Sequence, residues 1–278
     1  MQDQLSLCMI VRNEERTLSR CLDSARSLAR ELIVVDTGST DRTQRIAARY
    51  GAEVIPFDFA RPDFAAARNH AIACATGRWI LMLDADETVD QSSAPLIETL
   101  VALGTEAGYF FERRNHIADS ADIVTDYVVR LFPNRPAYRF RGRVHETIDA
   151  SILENGGRLL RTAIRIDHSF SSRERDRRGR NLWYVEILKE EIESDPTDAS
   201  RLNFLAAEYH QLNMFDEATE VAERIARLRP MDHKAHLFAG IYHLVYQANP
   251  ARARADFRRV LALCPDHTEA KSFLQLTL

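Results

Sequence analysis

The chain has 278 residues, 45% hydrophobic and 28% charged, with a formal net charge of −4. That is the balance of one large or two ordinary globular domains with no electrostatic bias toward nucleic acid. No stretch approaches about 18 apolar residues, so no membrane span is expected. The first residues lack the basic-then-apolar pattern of a secretory leader, and the four scattered cysteines (Cys8, Cys21, Cys74, Cys264) lack zinc spacing. The cytoplasm is the expected compartment, with at most peripheral contact at the inner membrane face.

Taken in chain order, residues 5–11 read as a buried strand. Residues 14–30 read as a helix, with Leu18, Cys21, Leu22, Ala25 and Leu28 at helical spacing. Residues 31–36 form a second strand and end in a turn, Thr37-Gly-Ser-Thr-Asp41. A helix over 41–50 is closed by Gly51 as a C-cap. Then come a strand over 52–57, a helix over 63–76 and a strand over 79–83. This β-α-β-α-β-α-β order predicts a parallel, right-handed sheet with helices on both faces. After Asp90 the pattern is β-rich, with strands expected at 107–114, 124–132 and 163–168.

From Gly179 the pattern is wholly helical and repeats. Pro196, Pro230 and Pro265 stand 34 and 35 residues apart, each opening an equivalent turn. Ala206 and Tyr209 are matched to Ala239 and Tyr242, and Ala218 to Ala253. A 34-residue helix–turn–helix period with small residues at the crossings is the tetratricopeptide pattern. Two repeats after a helix at 179–194 fit the length. The expected division is therefore an α/β domain over 1–178 and an all-α repeat domain over 179–278.

The chemistry points to the end of the fourth strand, Ile80-Leu-Met-Leu-Asp-Ala-Asp-Glu87. Ligands of open α/β sheets bind beyond the carboxyl ends of the strands. Asp84 and Asp86, two apart in extended chain, face the same way. Hard oxygen ligands of this kind suit Mg²⁺ or Mn²⁺ carrying a diphosphate.

Four segments carry a resemblance to a known family: Cys8-Met-Ile-Val-Arg-Asn-Glu-Glu15, Glu31-Leu-Ile-Val-Val-Asp-Thr-Gly-Ser-Thr-Asp-Arg-Thr43, Asp63-Phe-Ala-Ala-Ala-Arg-Asn-His-Ala71 and Trp79-Ile-Leu-Met-Leu-Asp-Ala-Asp-Glu87. Over about residues 5–90 the chain resembles the family 2 glycosyltransferases of GT-A fold. A narrower likeness runs through Arg141-Gly-Arg-Val-His-Glu146 and Ile166-Asp-His168. With the repeat tail, it points to the bacterial branch of lipooligosaccharide β-1,4-glucosyltransferase-like and peptide S-glycosyltransferase-like proteins.

The resemblance implies a nucleotide-sugar site made by Val11, Asn13, Glu14, Asp36, Arg68, Asp84 and Ala85. Asp36 is placed against the uracil or ribose. Its other reading is a helix cap, for which Ser39, Thr40 and Asp41 are better placed. Arg68 suits a diphosphate because a guanidinium is always charged and binds in a bidentate fashion. Asp86 and His168 are the implied metal ligands, with His145 the competing histidine. Glu146 is the implied base for inversion and Asp126 the reserve; the family's usual Glu-Asp base motif is replaced here by His145-Glu146.

Two basic stretches remain: Arg135, Arg139, Arg141 and Arg143, then Arg173, Arg175, Arg177, Arg178 and Arg180. They read either as a solvated, internally paired surface or as contacts for an anionic acceptor. The expected activity is inverting, metal-dependent transfer from a UDP-sugar to a glycan, a glycolipid (an anionic one included) or a peptide. The repeats are expected to bind the acceptor, a partner protein or a second copy. The alternatives are a sugar-phosphate nucleotidyltransferase and a non-catalytic repeat scaffold with a vestigial nucleotide-sugar domain. Against the first, Val11-Arg-Asn-Glu-Glu15 contains no glycine-rich loop.

Overall fold

A computed structural model of the chain describes residues 5–116, 122–169 and 177–277. They fall into two compact units, residues 1–175 and 176–278.

The first unit is built on strands β1 (Leu5–Val11), β2 (Glu31–Asp36), β3 (Glu53–Pro56), β4 (Trp79–Met82), β5 (Glu87–Val89), β6 (Ala107–His116), β7 (Ile123–Pro133) and β8 (Arg158–Ser169). They form one sheet in the order β3-β2-β1-β4-β7-β6-β8-β5. The β3-β2-β1-β4 half is parallel, as the alternating pattern requires, and β7 joins β4 antiparallel. Helices α1 (Leu18–Ala25), α2 (Thr43–Arg49), α3 (Phe64–Cys74), α4 (Ala94–Leu103) and α5 (Asp149–Glu154) complete the unit.

Strand alternation divides the core in two. Leu5, Leu7, Met9 and Val11 of β1, with Leu32 and Val34 of β2 and Leu81 of β4, pack against Leu18 and Leu22 of α1 and Ile97 of α4. Cys8, Ile33, Val35, Ile80 and Met82 face the other way, against Ala67, Ala71 and Ile72 of α3 and Ile152 of α5. A strand buried on both faces must be apolar at nearly every position, with a buried polar group such as Ser6 paired, which is why the near-continuous runs predicted parallel strands correctly.

The helix expected over 14–30 is shorter. Asn13 takes a left-handed φ of 55°, so the chain is still turning at Glu14, whose carbonyl accepts from Thr17 N and Leu18 N. At the far end Ser24 Oγ bonds back to the carbonyl of Cys21, and the chain passes into a 3-10 turn at Arg26–Leu28. Helices α4 and α5 and the three-residue strand β5 lie in stretches where no element was expected, the region after Asp90 having read as β-rich. Strand β8 runs well beyond the expected 163–168 because it pairs along the length of β6.

The second unit contains α6 (Arg177–Ser194), α7 (Ala199–Gln211), α8 (Phe215–Leu228), α9 (His233–Val245), α10 (Pro250–Leu263) and α11 (Thr268–Gln275). Each repeat turn ends in an N-cap two residues after its proline: Asp198, Asp232 and His267 accept from the first turns of α7, α9 and α11. These caps correct the internal register. Caps at 198 and 232 pair Ala206 with Gly240 and Tyr209 with His243, one residue beyond the expected Ala239 and Tyr242. Gly240 is the small residue at the crossing: a Cβ there would lie 2.7 Å from the Phe257 ring. Ala218 and Ala253, matched as expected, are both fully buried. Among the described residues no helix is long and apolar enough to cross a membrane.

Candidate active site at the end of the fourth strand

Adjacent parallel strands deliver their following loops to one edge of the sheet. Thr37 N bonds to the Val11 carbonyl and Leu83 N to the Cys8 carbonyl, aligning the ends of β2 and β4 with that of β1. The first two loops are laced together. Asn13 N donates to Ser39 Oγ (2.8 Å), Thr40 N to Asn13 Oδ1 (2.6 Å) and Glu14 N to Thr43 Oγ1 (2.6 Å). Val11 and Ala85 lie in the hydrophobic core and anchor their turns from beneath.

Asp36 is 2% exposed, and its carboxylate is already engaged by Ser39 N (3.0 Å to Oδ1) and by Gln44 Nε2. It shapes the turn after β2. Asp41 accepts from Thr43 N at 2.9 Å just before the following helix, whose N-cap position is Arg42.

Beyond β4 stands a chain of alternating charges. Asp84 Oδ1 accepts from Arg68 Nη2 at 2.6 Å, and Oδ2 from Arg130 Nη2 at 2.5 Å. Arg130 Nη2 also donates to Glu87 Oε1 at 2.6 Å. Glu87 Oε2 accepts from the Asp84 backbone at 3.1 Å. Burial opposes the charge on Asp84, but Arg130 and Arg68 outweigh it and hold this carboxyl well below the usual range. Glu87 is fully buried, and burial pushes its carboxyl up despite Arg130. Arg113 extends the chain from Glu87 (3.5 Å) to Asp126, which it holds with two bonds of 2.9 and 2.6 Å.

Arg68 lies on α3 and is 6% exposed. Asp63 caps that helix at Ala66 N (2.7 Å). Asn69 then locks it to Phe140 by paired bonds of 2.8 and 2.9 Å. This brings Arg68 to a turn closed by Arg141 and Thr147, in which His145 takes a φ of 50°. Arg68 Nε donates to Glu146 Oε1 at 2.6 Å, and Glu146 Oε2 has no partner among the described residues. Arg68 Nη1 is buried with no partner among them either.

Asp86 and His168 also meet, with His168 Nε2 3.3 Å from Asp86 Oδ2. Both are half-buried, with side chains 24% and 17% exposed. Burial lowers the affinity of His168 for a proton, but the hydrogen bond and charge of Asp86 leave it raised overall. A carboxylate oxygen and an imidazole nitrogen converging at one point are donors that suit Mn²⁺. Among the described residues no group of three such side chains gathers, so a cation here needs further oxygens from its ligand or from water.

Of the residues singled out from sequence, Arg68, Asp84 and Glu146 are joined directly, and Asp86 with His168. Asp126 lies farther along the same charge chain, while Asn13, Glu14 and Asp36 shape the neighbouring loops. Glu87, Arg113, Asn115 and Arg130 went unnoticed. For Arg130 a signal was available: one arginine inside Val128-Val-Arg-Leu-Phe132 is an intolerable buried charge unless paired.

The first basic stretch is largely satisfied within the protein. Arg135 pairs with Glu106 and Arg141 with Glu154, while Arg143 donates to the Pro62 carbonyl. In the second stretch, Arg173 and Arg175 lie outside the described residues.

The family model for glycosyl transferase family 2 matches residues 6–167. A TPR repeat-containing protein of Synechococcus elongatus is 45% identical over 150 residues, 54% of this chain and 36% of that protein. The prophage-derived glycosyltransferase SunS of Bacillus subtilis is 24% identical over 232 residues, 78% of this chain and 51% of SunS. The aligned chain thus spans about a third to a half of these relatives' length. Residues 1–349 of S. aureus TarS share the fold, with a TM-score of 0.55 at 12% identity, covering 92% of this chain and 90% of that one.

Proposed function

This chain belongs to glycosyl transferase family 2, and from that premise we propose that it transfers a sugar, with inversion, from a UDP-linked donor to a glycan, glycolipid or peptide. The observation that carries the reading is a pair of clusters built on Asp84 and Asp86, two residues apart after β4: Asp86 with His168, and Asp84 joined through Arg68 to Glu146. It sets donor-type and acceptor-type chemistry side by side. S. aureus TarS, which shares the fold, has been crystallised with UDP-GlcNAc, and this supports the choice of donor class.

In this reading the loops after β1 and β2 receive the nucleotide, with Asn13 and Glu14 held in place and Asp36 shaping the turn. Asp86 and His168 would hold Mn²⁺ or Mg²⁺, which when bound would neutralise charge on the leaving diphosphate. Arg68 contributes a fixed positive charge and orients Glu146. The free Oε2 of Glu146 takes the proton of the attacking acceptor. A bond forms from the acceptor to the anomeric carbon, and the bond to the diphosphate oxygen breaks with its electron pair left on the diphosphate. The repeat unit serves acceptor or partner-protein recognition.

Calorimetric titration of UDP and GDP, with and without Mn²⁺, tests the reading on wild type and Asp86→Ala. Metal-dependent UDP binding that disappears in the variant is the expected result. Absence of binding by either nucleotide would overturn the reading and favour a repeat-domain scaffold.

A further inference from the structure

We propose that Asn115 is a positioning residue that decides which ring nitrogen of His168 faces Asp86, and thereby presets this end of the site for a divalent cation. The inference rests on the metal role given above to Asp86 and His168.

Three strands bring the residues into line. Asn115 of β6 lies directly opposite His168 of β8 in the parallel pairing and opposite Val124 of β7 on its other side. Asn115 is 9% exposed. Its Nδ2 donates to the Val124 carbonyl at 2.9 Å. A backbone carbonyl only accepts, so the end of the amide that meets it is its NH₂. That leaves Oδ1 for His168 Nδ1, 2.8 Å away.

An amide oxygen also only accepts, so Nδ1 of His168 carries hydrogen. In the neutral ring Nε2 is then a bare lone pair, and it points at Asp86 Oδ2 across 3.3 Å. Two acceptors aimed at one point make a cation-binding arrangement. The opposite tautomer would fill the same space with an Nε2–H donor to Asp86 and compete with a metal. Outer partners of this kind fix the orientation and basicity of a ligating histidine.

The test uses the full chain with ¹⁵N-labelled histidine, His168→Gln identifying the His168 signals. At a pH where the ring is neutral, wild type is expected to show the Nδ1–H tautomer of His168. Asn115→Leu is expected to lose that tautomer and to bind Mn²⁺ in the presence of UDP about 10–100-fold more weakly. Asn115→Asp, which keeps an acceptor toward Nδ1 but gives up the donor to the Val124 carbonyl, is expected to retain the Nδ1–H tautomer. An Nε2–H tautomer in wild type overturns the inference without recourse to any variant. So does an Asn115→Leu protein with unchanged tautomer and Mn²⁺ affinity. Wild type that binds no Mn²⁺ with UDP sinks the functional reading itself, and the inference with it.

Discussion

Arg68 and Glu146, 78 positions apart in sequence, form an ion pair at 2.6 Å with side chains only 7% and 12% exposed. Because Arg68 also holds Asp84, one rigid guanidinium connects the two sides of the site. Glu146→Gln is expected to lower kcat of glycosyl transfer about 10²–10⁴-fold while leaving UDP affinity unchanged. Asp126→Asn is expected to cost far less. Equal losses in the two variants would remove Glu146 as the base.

Arg68→Lys separates geometry from charge. An ammonium is a point charge and cannot reproduce two directional bonds from one plane. Steady-state kinetics of Arg68→Lys should show kcat reduced on the order of 10²-fold. Wild-type kcat in this variant would mean that the linkage is structural only.

Removal of metal gives a simple test. Donor hydrolysis by wild type should disappear in excess chelator and return with Mn²⁺. In Asp86→Ala, added Mn²⁺ should restore nothing. Full activity in chelator would contradict the role given to Asp86 and His168.

Glu87 is a stability residue as much as a site residue. It is fully buried, and its Oε1 shares Arg130 with Asp84. Glu87→Ala leaves a buried guanidinium short of one partner, and breaking a buried pair typically costs about 3–5 kcal/mol. Urea unfolding of the variant should show a loss of this size. A loss under about 1 kcal/mol would mean that Asp84 alone satisfies Arg130.

Glu31 carries a pH prediction. Burial raises its carboxyl, but bonds from Ser6 Oγ, Thr76 and Gly77 outweigh burial and leave it below the ordinary value. A depressed folded value adds stability above the unfolded pKa, and this is lost as pH falls through the folded one. Wild type should therefore lose thermal stability more steeply than Glu31→Gln below about pH 5, with the two curves converging in acid. Parallel curves would refute the assignment.

In the helical unit, Gly240→Val should destabilise by about 1–3 kcal/mol through overpacking against Phe257, detectable by thermal melting. An unchanged melting temperature would place the crossing elsewhere.

Leu5–Val11, Glu31–Asp36 and Trp79–Met82 were legible as parallel strands because burial on both faces demands nearly unbroken apolar runs. The repeats were legible because each turn reuses a proline and a cap, although the match of Ala206 to Ala239 slipped by one where the caps set the register at Gly240. The carboxylates of Asp84 and Asp86 stood out because charge at the end of such a run has to meet solvent or a partner.

By itself, then, the sequence determined the layering of the sheet, the helical repeat and the strand end where acidic side chains gather, since all three follow from local pattern. Only the tertiary structure decided which charges meet. Arg68 reaches Glu146, Arg130 reaches Glu87 and Asn115 reaches His168 through strand order and register. Those pairings join residues far apart in sequence, and no local pattern encodes them.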